Sequence, residues 1–304
     1  MANKRFMDFT TDDAPSSSAF LLEADSNNGV RKTTIENAVA STNVVSNLSQ
    51  KVNVLFEGAA QHNRIYRGKN LTAYFNSGDM SAAIADGSFR DIYPGDYILK
   101  DITIDGVTYT GVTFIIMDLD YHLHKGTPET MAHHVVIMPE DMPGTAQMNT
   151  ESTTAGGYVG SKMWTEHMPK VAAGFEAAFG AAHILEHKEI LSNAVDVNVK
   201  SSGYNGWSGA SSNWAWSSVK ANLANETMVY GTKSFSSSGY DVGDCCSQLA
   251  AFALNSSLIS SKRQWWWLRA VASSSDFCIV GADGYAHHGG ANTAHGVRPY
   301  ALLY

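Results

Sequence analysis

Between Trp265 and Tyr304 the chain sets large apolar residues (Trp267, Leu268, Val271, Phe277, Val280, Val297 and Leu302) among small polar ones and frequent glycines. Gly281, Gly284, Gly289, Gly290 and Gly296 punctuate the segment too closely for helices, so it reads as short strands joined by tight turns. The apolar run continues through Leu302 and Leu303, where a free tail is normally polar, and this places the last strand inside a sheet. Whatever fold the chain adopts must therefore build its core around this segment.

The rest of the composition agrees with such an architecture. The 304 residues are 44% hydrophobic and only 16% charged, enough for one large domain or two modest ones and better suited to loop-rich α+β structure than to a helical bundle. A formal net charge of −8 argues against a broad nucleic-acid or acidic-membrane footprint. Cys245, Cys246 and Cys278 are too few and too ill-spaced for a disulfide framework. The opening MANKRFMDFTTDD has no apolar run behind its basic residues, and no stretch approaches a membrane span. Neither a signal peptide nor membrane insertion is expected, and synthesis in a cytoplasm follows.

Along the chain, residues 1–60 form an N-terminal arm and a short helix, and residues 61–304 the main domain. Thr33 and Glu36 have capping-box spacing, and Val45, Leu48, Val52 and Leu55 alternate three and four apart, a narrow seam that fits either self-association or packing on the chain's own domain. A short helix is expected over Ile84–Phe89. Ile102 and Ile104 alternate with polar residues before the Asp105-Gly106 turn, which predicts a hairpin continuing through Thr113–Met117, and His133–Pro139 reads as another strand. Residues 161–195 read as two helices broken at Gly180, with Val171, Phe175, Ala178 and Phe179 on one face and Ile184, Leu185, Leu191 and Val195 on the next. Residues 201–218 read as loop, and Val219–Tyr230 as a third helix.

Several constellations could carry chemistry. His183, Glu186 and His187 match His-x-x-Glu-His, a zinc-peptidase pattern when the histidines share a helix face. Five residues supply neither a third ligand nor a cleft, and the same histidines also suit the packing of an ordinary helix. On a strand, His122 and His124 would share a face while His133 and His134 point oppositely, so four converging ligands require a chain reversal. Cys278 has no identifiable base near it in sequence. No catalytic residue, metal ligand or cofactor is assigned.

Trp267-Leu268-Arg269, the Gly284 turn and Gly296-Val297-Arg298-Pro299 resemble the C-type-lectin-like domains of phage and prophage surface proteins, some of which are variable proteins of diversity-generating retroelements. The resemblance extends upstream through Arg67–Leu71, Gly95-Asp96-Tyr97, His133–Pro139, Met148-Asn149, Gly156–Ser161, Ala178-Phe179-Gly180, His183-Ile184-Leu185, Met228–Gly231 and Gln248-Leu249, and the arm is similar to those opening phage fibre proteins. After Trp267 there is no Lys, Glu, Gln, Met or Trp, the five types that an AAC codon cannot produce when its adenines are randomised.

The resemblance implies a scaffold of Trp267, Leu268, Arg269, Gly296, Val297 and Pro299 displaying a ligand-binding face over residues 265–304. The candidate contacts are Ala270, Ser274, Asp276, Cys278, Asp283, Tyr285, His287, His288, Asn292, Thr293 and His295, with Phe277, Tyr285 and Tyr300 supplying rigid apolar area. No Glu-Pro-Asn or Gln-Pro-Asp sugar-and-calcium tripeptide occurs, and Cys278 does not match the paired cysteines of the related formylglycine-generating enzymes. The function implied is adhesion: a virion-surface protein, homotrimeric through the seam, bound to other virion structural proteins and to a host cell-surface protein or glycan. A metal-dependent hydrolase through His183, Glu186 and His187, or a purely structural decoration protein, are the alternatives.

Overall fold

A computed structural model describes residues 20–25, 29–34, 57–200, 208–237 and 247–304. The chain divides into two compact units, Met1–Phe56 and Glu57–Tyr304. In the first, β1 (Phe20–Asp25) and β2 (Gly29–Thr34) form an antiparallel hairpin in which Thr33 pairs with Leu21. Thr33 thus lies in a strand and does not cap a helix. The seam Val45, Leu48, Val52 and Leu55 lies outside the described residues, as do Cys245 and Cys246.

The second unit is mixed α+β, with more strand than helix. Short helices α1 (Ala59–His62), α2 (Thr72–Asn76) and α3 (Asp79–Ala85) lead into β3 (Tyr97–Ile104) and β4 (Val107–Leu119). The helix expected over Ile84–Phe89 ends by Ala85, where Gly87 and Phe89 turn with positive φ. Asp105 and Gly106 also have positive φ and close the expected β3–β4 hairpin, with Ile104 opposite Val107. β5 (Val135–Pro139) pairs with β4, and β14 (Pro299–Leu303) lies between β5 and the short β9 (Ala221–Leu223). The C-terminal strand is therefore interior to a five-stranded sheet ordered β3-β4-β5-β14-β9.

A second five-stranded sheet, β12-β11-β10-β13-β6, combines β6 (Thr145–Gln147), β10 (Trp266–Val271), β11 (Asp276–Val280), β12 (Ala286–Gly290) and β13 (Ala294–Gly296). Alternate residues of the central strands enter two cores. Val135, Ile137, Trp267, Phe277, Ala301 and Leu303 join the core beneath helix α4 (Met168–Phe179), whereas Val136, Met138, Trp266, Leu268, Tyr300 and Leu302 face the other. Burial on both faces explains why these strands read as continuous apolar runs. Both buried indoles find acceptors: Trp266 Nε1 donates to Ile259 O at 3.1 Å and Trp267 Nε1 to Ala146 O at 2.8 Å. In α4, Val171, Phe175 and Phe179 form the inward face, and a Cβ on Gly174 would stand 2.7 Å from Thr103 O, so glycine sets the helix-to-sheet distance.

Three expectations are corrected. The second helix after Gly180 is absent: a single 3₁₀ turn, Ala181–His183, leads into β7 (His187–Lys200). The alternation His187, Glu189, Leu191 buries every second residue, and Val195, Val197 and Val199 continue the two-residue period. The supposed loop 201–218 is strand from Ser208, since β8 (Ser208–Val219) pairs with β7. The third helix shrinks to α5 (Glu226–Tyr230), capped by Asn225, because Ala221–Leu223 is consumed by the sheet. Helix α6 (Ala250–Leu254) completes the elements.

Because β14 bridges β5 and β9, removing Val297–Tyr304 splits the sheet. The truncated chain is expected to lose cooperative thermal unfolding by circular dichroism; an unchanged melting curve overturns this account.

Candidate functional site

The interior holds a polar cluster where β7, β9, β10 and β14 meet. Glu189 and Arg269 form an ion pair at 2.6 Å, with side chains 0% and 5% exposed. The other Glu189 oxygen accepts from Tyr300 Oη at 2.5 Å, His187 Nε2 at 3.0 Å and Asn222 Nδ2 at 3.2 Å. Arg269 also donates to Leu223 O, and Tyr158 Oη donates to Asn222 at 2.9 Å. Burial opposes both charges, yet each answers the other. Arg269 and His187 hold the Glu189 carboxyl well below the usual range, and Glu189 with Tyr300 raises the Arg269 guanidinium.

Histidines line the same interior. After β4 the chain reverses at Asp120 and His124, both at positive φ, and delivers the His122 ring to within 4.5 Å of His187. The His122 backbone N–H donates to His134 Nε2 at 3.0 Å, while His134 Nδ1 bonds Ala132 O, the pattern of a neutral imidazole. His122 and His134 thus converge through the reversal that sequence left open, whereas His124 stays exposed and His133 pairs with Asp120 at 2.8 Å. His122, His187 and Glu189 have the mutual spacing of metal ligands. Arg269 already neutralises Glu189, and a divalent ion there would add uncompensated charge in a fully buried site, so the cluster reads as an internal polar scaffold.

The His-x-x-Glu-His pattern has no helix beneath it. His183 closes a 3₁₀ turn with Nδ1 near Tyr304 O, Glu186 is exposed, and His187 is buried in β7. The two histidines do not share a helix face.

The expected contact residues separate by exposure. Asp283, Tyr285, Asn292 and Thr293 are exposed, Tyr285 by 73%, and Ser274, His287, His288 and His295 are half-buried. Ala270, Asp276 and Cys278 are corrected: all three are buried, as are Phe277 and Tyr300, which supply no surface area. The reason is the second sheet's burial on both faces. Ala270 and Cys278 point into one core, Phe277 into the other, and Asp276 is held at the β10–β11 turn by Ser273 and Ser275 hydroxyls. The scaffold residues Trp267, Leu268, Arg269 and Val297 are buried as expected.

Sequence reasoning missed two aromatics, exposed Trp265 and half-buried Phe235. Trp265, 40% exposed, lies 5.1 Å from His287 and 6.0 Å from His295, which meets Trp267 edge-on at 4.7 Å. Phe235, from a distant segment, lies 5.3 Å from His288 and stacks on His287 at 6.2 Å. Its loop is held by buried Glu226, whose carboxylate accepts from the backbone N–H groups of Ser234, Phe235 and Ser236. A Cβ on Gly289 would meet His295 Nε2 at 3.0 Å, so glycine lets that imidazole lie across β12. Burial lowers His288 and His295 below their ordinary values.

The geometry defines a mixed α+β domain with a charge-paired interior and an imidazole- and aromatic-rich edge. No family model, curated protein or solved structure matches this chain. Among the described residues no helix is long and apolar enough to cross a membrane.

Two outcomes follow from the interior. Arg269→Met strands the Glu189 carboxylate and is expected to cost about 3–5 kcal/mol in chemical denaturation. The added Glu189→Gln change restores part of that loss, and strictly additive costs refute the coupling. The histidines make stability fall with acid. Burial pulls His134 to about 4 and His122 well below its ordinary value near 6.5. Below about 6.5 the unfolded chain takes up protons that the folded one refuses, so stability is full above that pH and declines toward 4. Asp118, raised to about 7 by burial, acts oppositely and offsets one histidine. Urea midpoints are expected to drop between pH 7 and 4.5, and His122→Phe to flatten the slope; midpoints constant across that range contradict it.

Proposed function

We propose that this chain is a phage virion-surface adhesin that binds a host cell-surface protein or glycan through the edge of a C-type-lectin-like domain. On this reading residues 1–60 attach it to other virion structural proteins, and the protein acts as a homotrimer made in the host cytoplasm. The observation that carries it is the division of labour within residues 265–304. Trp266, Trp267, Leu268, Arg298 and the β14 side chains are buried, while Tyr285, Asn292 and Thr293 are exposed and His287, His288 and His295 half-buried. Rigid framework beside exposed, chemically varied side chains is what a recognition surface needs, because the contacts can change without disturbing the core. Trp267, Leu268, Arg269, Gly296, Val297, Arg298 and Pro299, which carry the resemblance to C-type-lectin-like domains, are all buried on the framework side of this division. The absence of Lys, Glu, Gln, Met and Trp after Trp267 fits adenine-directed diversification of the other side.

Arg298 shows how firmly the framework is set. Its guanidinium lies 5.1 Å over the Trp266 ring and 5.6 Å over Phe252 and donates to Pro139 O and Leu258 O. Burial lowers it to about 10. These contacts tie the closing Gly-Val-Arg-Pro segment to three separate parts of the domain.

The test combines adsorption with melting. Tyr285→Ala and His288→Ala should weaken binding to host cells by about 1–3 kcal/mol where the side chain is an anchor, with the melting temperature unchanged. Trp267→Ala should cost about 3–5 kcal/mol of stability and lose binding only through unfolding. Full adsorption by every surface variant, or none by the parent chain, leaves a structural decoration protein as the better account.

A further inference from the structure

Away from the edge at residues 265–304, a cleft of about 260 Å³ opens between the start of α4 and the junction of β8 with β9. The chain enters α4 through a π-helical turn, Met163–His167, a conformation that recurs at functional sites. This turn and the helix after it give the cleft an apolar floor of Trp164, Met168 and Ala172, met from the strand side by Val219 and Ala221. The Trp164 indole packs edge-on against Tyr158 at 5.4 Å, so its ring is held in place. Sites that enclose a drug-sized molecule measure roughly 300–1,000 Å³. This cleft is smaller and takes one ring of a longer ligand.

The rim is polar and balanced in charge. Glu186, Ser218 and Lys220 line it. Lys220 Nζ pairs with Glu176 Oε1 at 2.6 Å, and Lys188 Nζ donates to Ser218 Oγ at 2.6 Å. The charged groups that line the cleft or bond to its lining are therefore two carboxylates, Glu176 and Glu186, and two ammoniums, Lys188 and Lys220. Glu176 first, and then Glu186, raise Lys220 above its ordinary value, so it stays charged. A net ion entering here meets its own sign as well as the opposite one. An apolar occupant strips water from the rim without returning hydrogen bonds. A neutral ligand bearing hydroxyl groups does return them, since each hydroxyl both donates and accepts. A further indole lies beside the rim: Trp216, 39% exposed, stands two residues before Ser218 on the same face of β8, opposite Ile190.

We propose that this cleft binds one hexose ring of a neutral oligosaccharide, with the C–H face of the sugar on Trp164 and its hydroxyls bonded to Glu186, Ser218 and Lys220. The next ring of the saccharide lies on Trp216. A pyranose matches the site on both counts, because its faces are apolar and its perimeter carries hydroxyls, the same pairing of apolar body and polar margin that the cleft presents. The assignment goes beyond the adhesin reading: every residue involved lies outside 265–304, and the cleft binds whether or not that edge does.

The experiment titrates the full chain with the neutral trisaccharides maltotriose, cellotriose, mannotriose and chitotriose, beside anionic trigalacturonate and octanol. Saturation-transfer NMR and calorimetry report binding. At least one neutral trisaccharide should bind, with an affinity that salt does not change. Trp164→Ala should weaken that binding about tenfold. Glu186→Ala and Trp216→Ala, both at exposed positions, should each weaken it at an unchanged melting temperature, and they keep the test decisive if the Trp164 variant misfolds. Binding of no neutral trisaccharide, parent affinity in both exposed-site variants, or tighter binding of trigalacturonate overturns the assignment. Octanol binding without saccharide binding makes the cleft an apolar pocket and overturns it too. Host-cell adsorption separates this site from the edge. Adsorption that needs Tyr285 while no trisaccharide binds leaves the edge adhesin standing and refutes the sugar cleft. Trisaccharide binding that needs Trp164 in a chain that does not adsorb does the reverse.

Discussion

The Glu189–Arg269 ion pair sits where four strands from separate parts of the chain converge. Glu189 comes from β7, Arg269 from β10, Tyr300 from β14, and Asn222 from β9. Two opposite charges removed from water are tolerated because Arg269 lies 2.6 Å from one Glu189 oxygen while Tyr300, His187 and Asn222 bond to the other. The arrangement stabilises a particular register more than it stabilises folding as such. A slip of one residue in β10 or β14 would turn Arg269 or Tyr300 to the other face and leave a buried carboxylate unanswered.

That fixed register is what makes the edge of the second sheet useful. β10 and β11 are covered on both faces, and β12 lies outermost with every residue half-buried. Side chains on β12 and the turns beside it therefore inherit a rigid backbone without contributing much to the core. Changes at Tyr285 or Asn292 meet solvent, whereas changes at Cys278, one strand inward, meet the interior beneath His288.

The sequence made some of this plain and concealed the rest for identifiable reasons. The Asp105-Gly106 hairpin, the strand at Val135–Pro139 and the interior position of Pro299–Leu303 were legible because turn chemistry and apolar continuity are local signals. The stretch from Gly180 to Val195 reads as helix because Ile184, Leu185, Leu191 and Val195 approximate a helical spacing, although β7 begins at His187. The two-residue alternation of Val195, Val197 and Val199 was the better guide. Ser208–Val219 was hidden by its serines, whose pairing with β7 depends on a partner far along the chain. Among the contact residues, strand parity was the missing information. Nothing local distinguishes buried Ala270 or Cys278 from exposed Tyr285 until both faces of the sheet are known to be covered. Phe235 was invisible for a related reason, since only tertiary structure brings it beside β12.

The place of β14 also sets the order in which the domain can be completed on the ribosome. β3, β4 and β5 are finished by Pro139, yet the strand that covers the free edge of β5 begins at Pro299. Through the intervening synthesis the nascent chain carries an apolar five-residue strand whose backbone donors and acceptors on one side are unpaired, a template for mispairing with neighbouring chains. Closure of the sheet is thus tied to the appearance of the same segment that carries the exposed edge, and a chain whose edge residues have changed still meets one structural checkpoint: whether Pro299–Leu303 inserts.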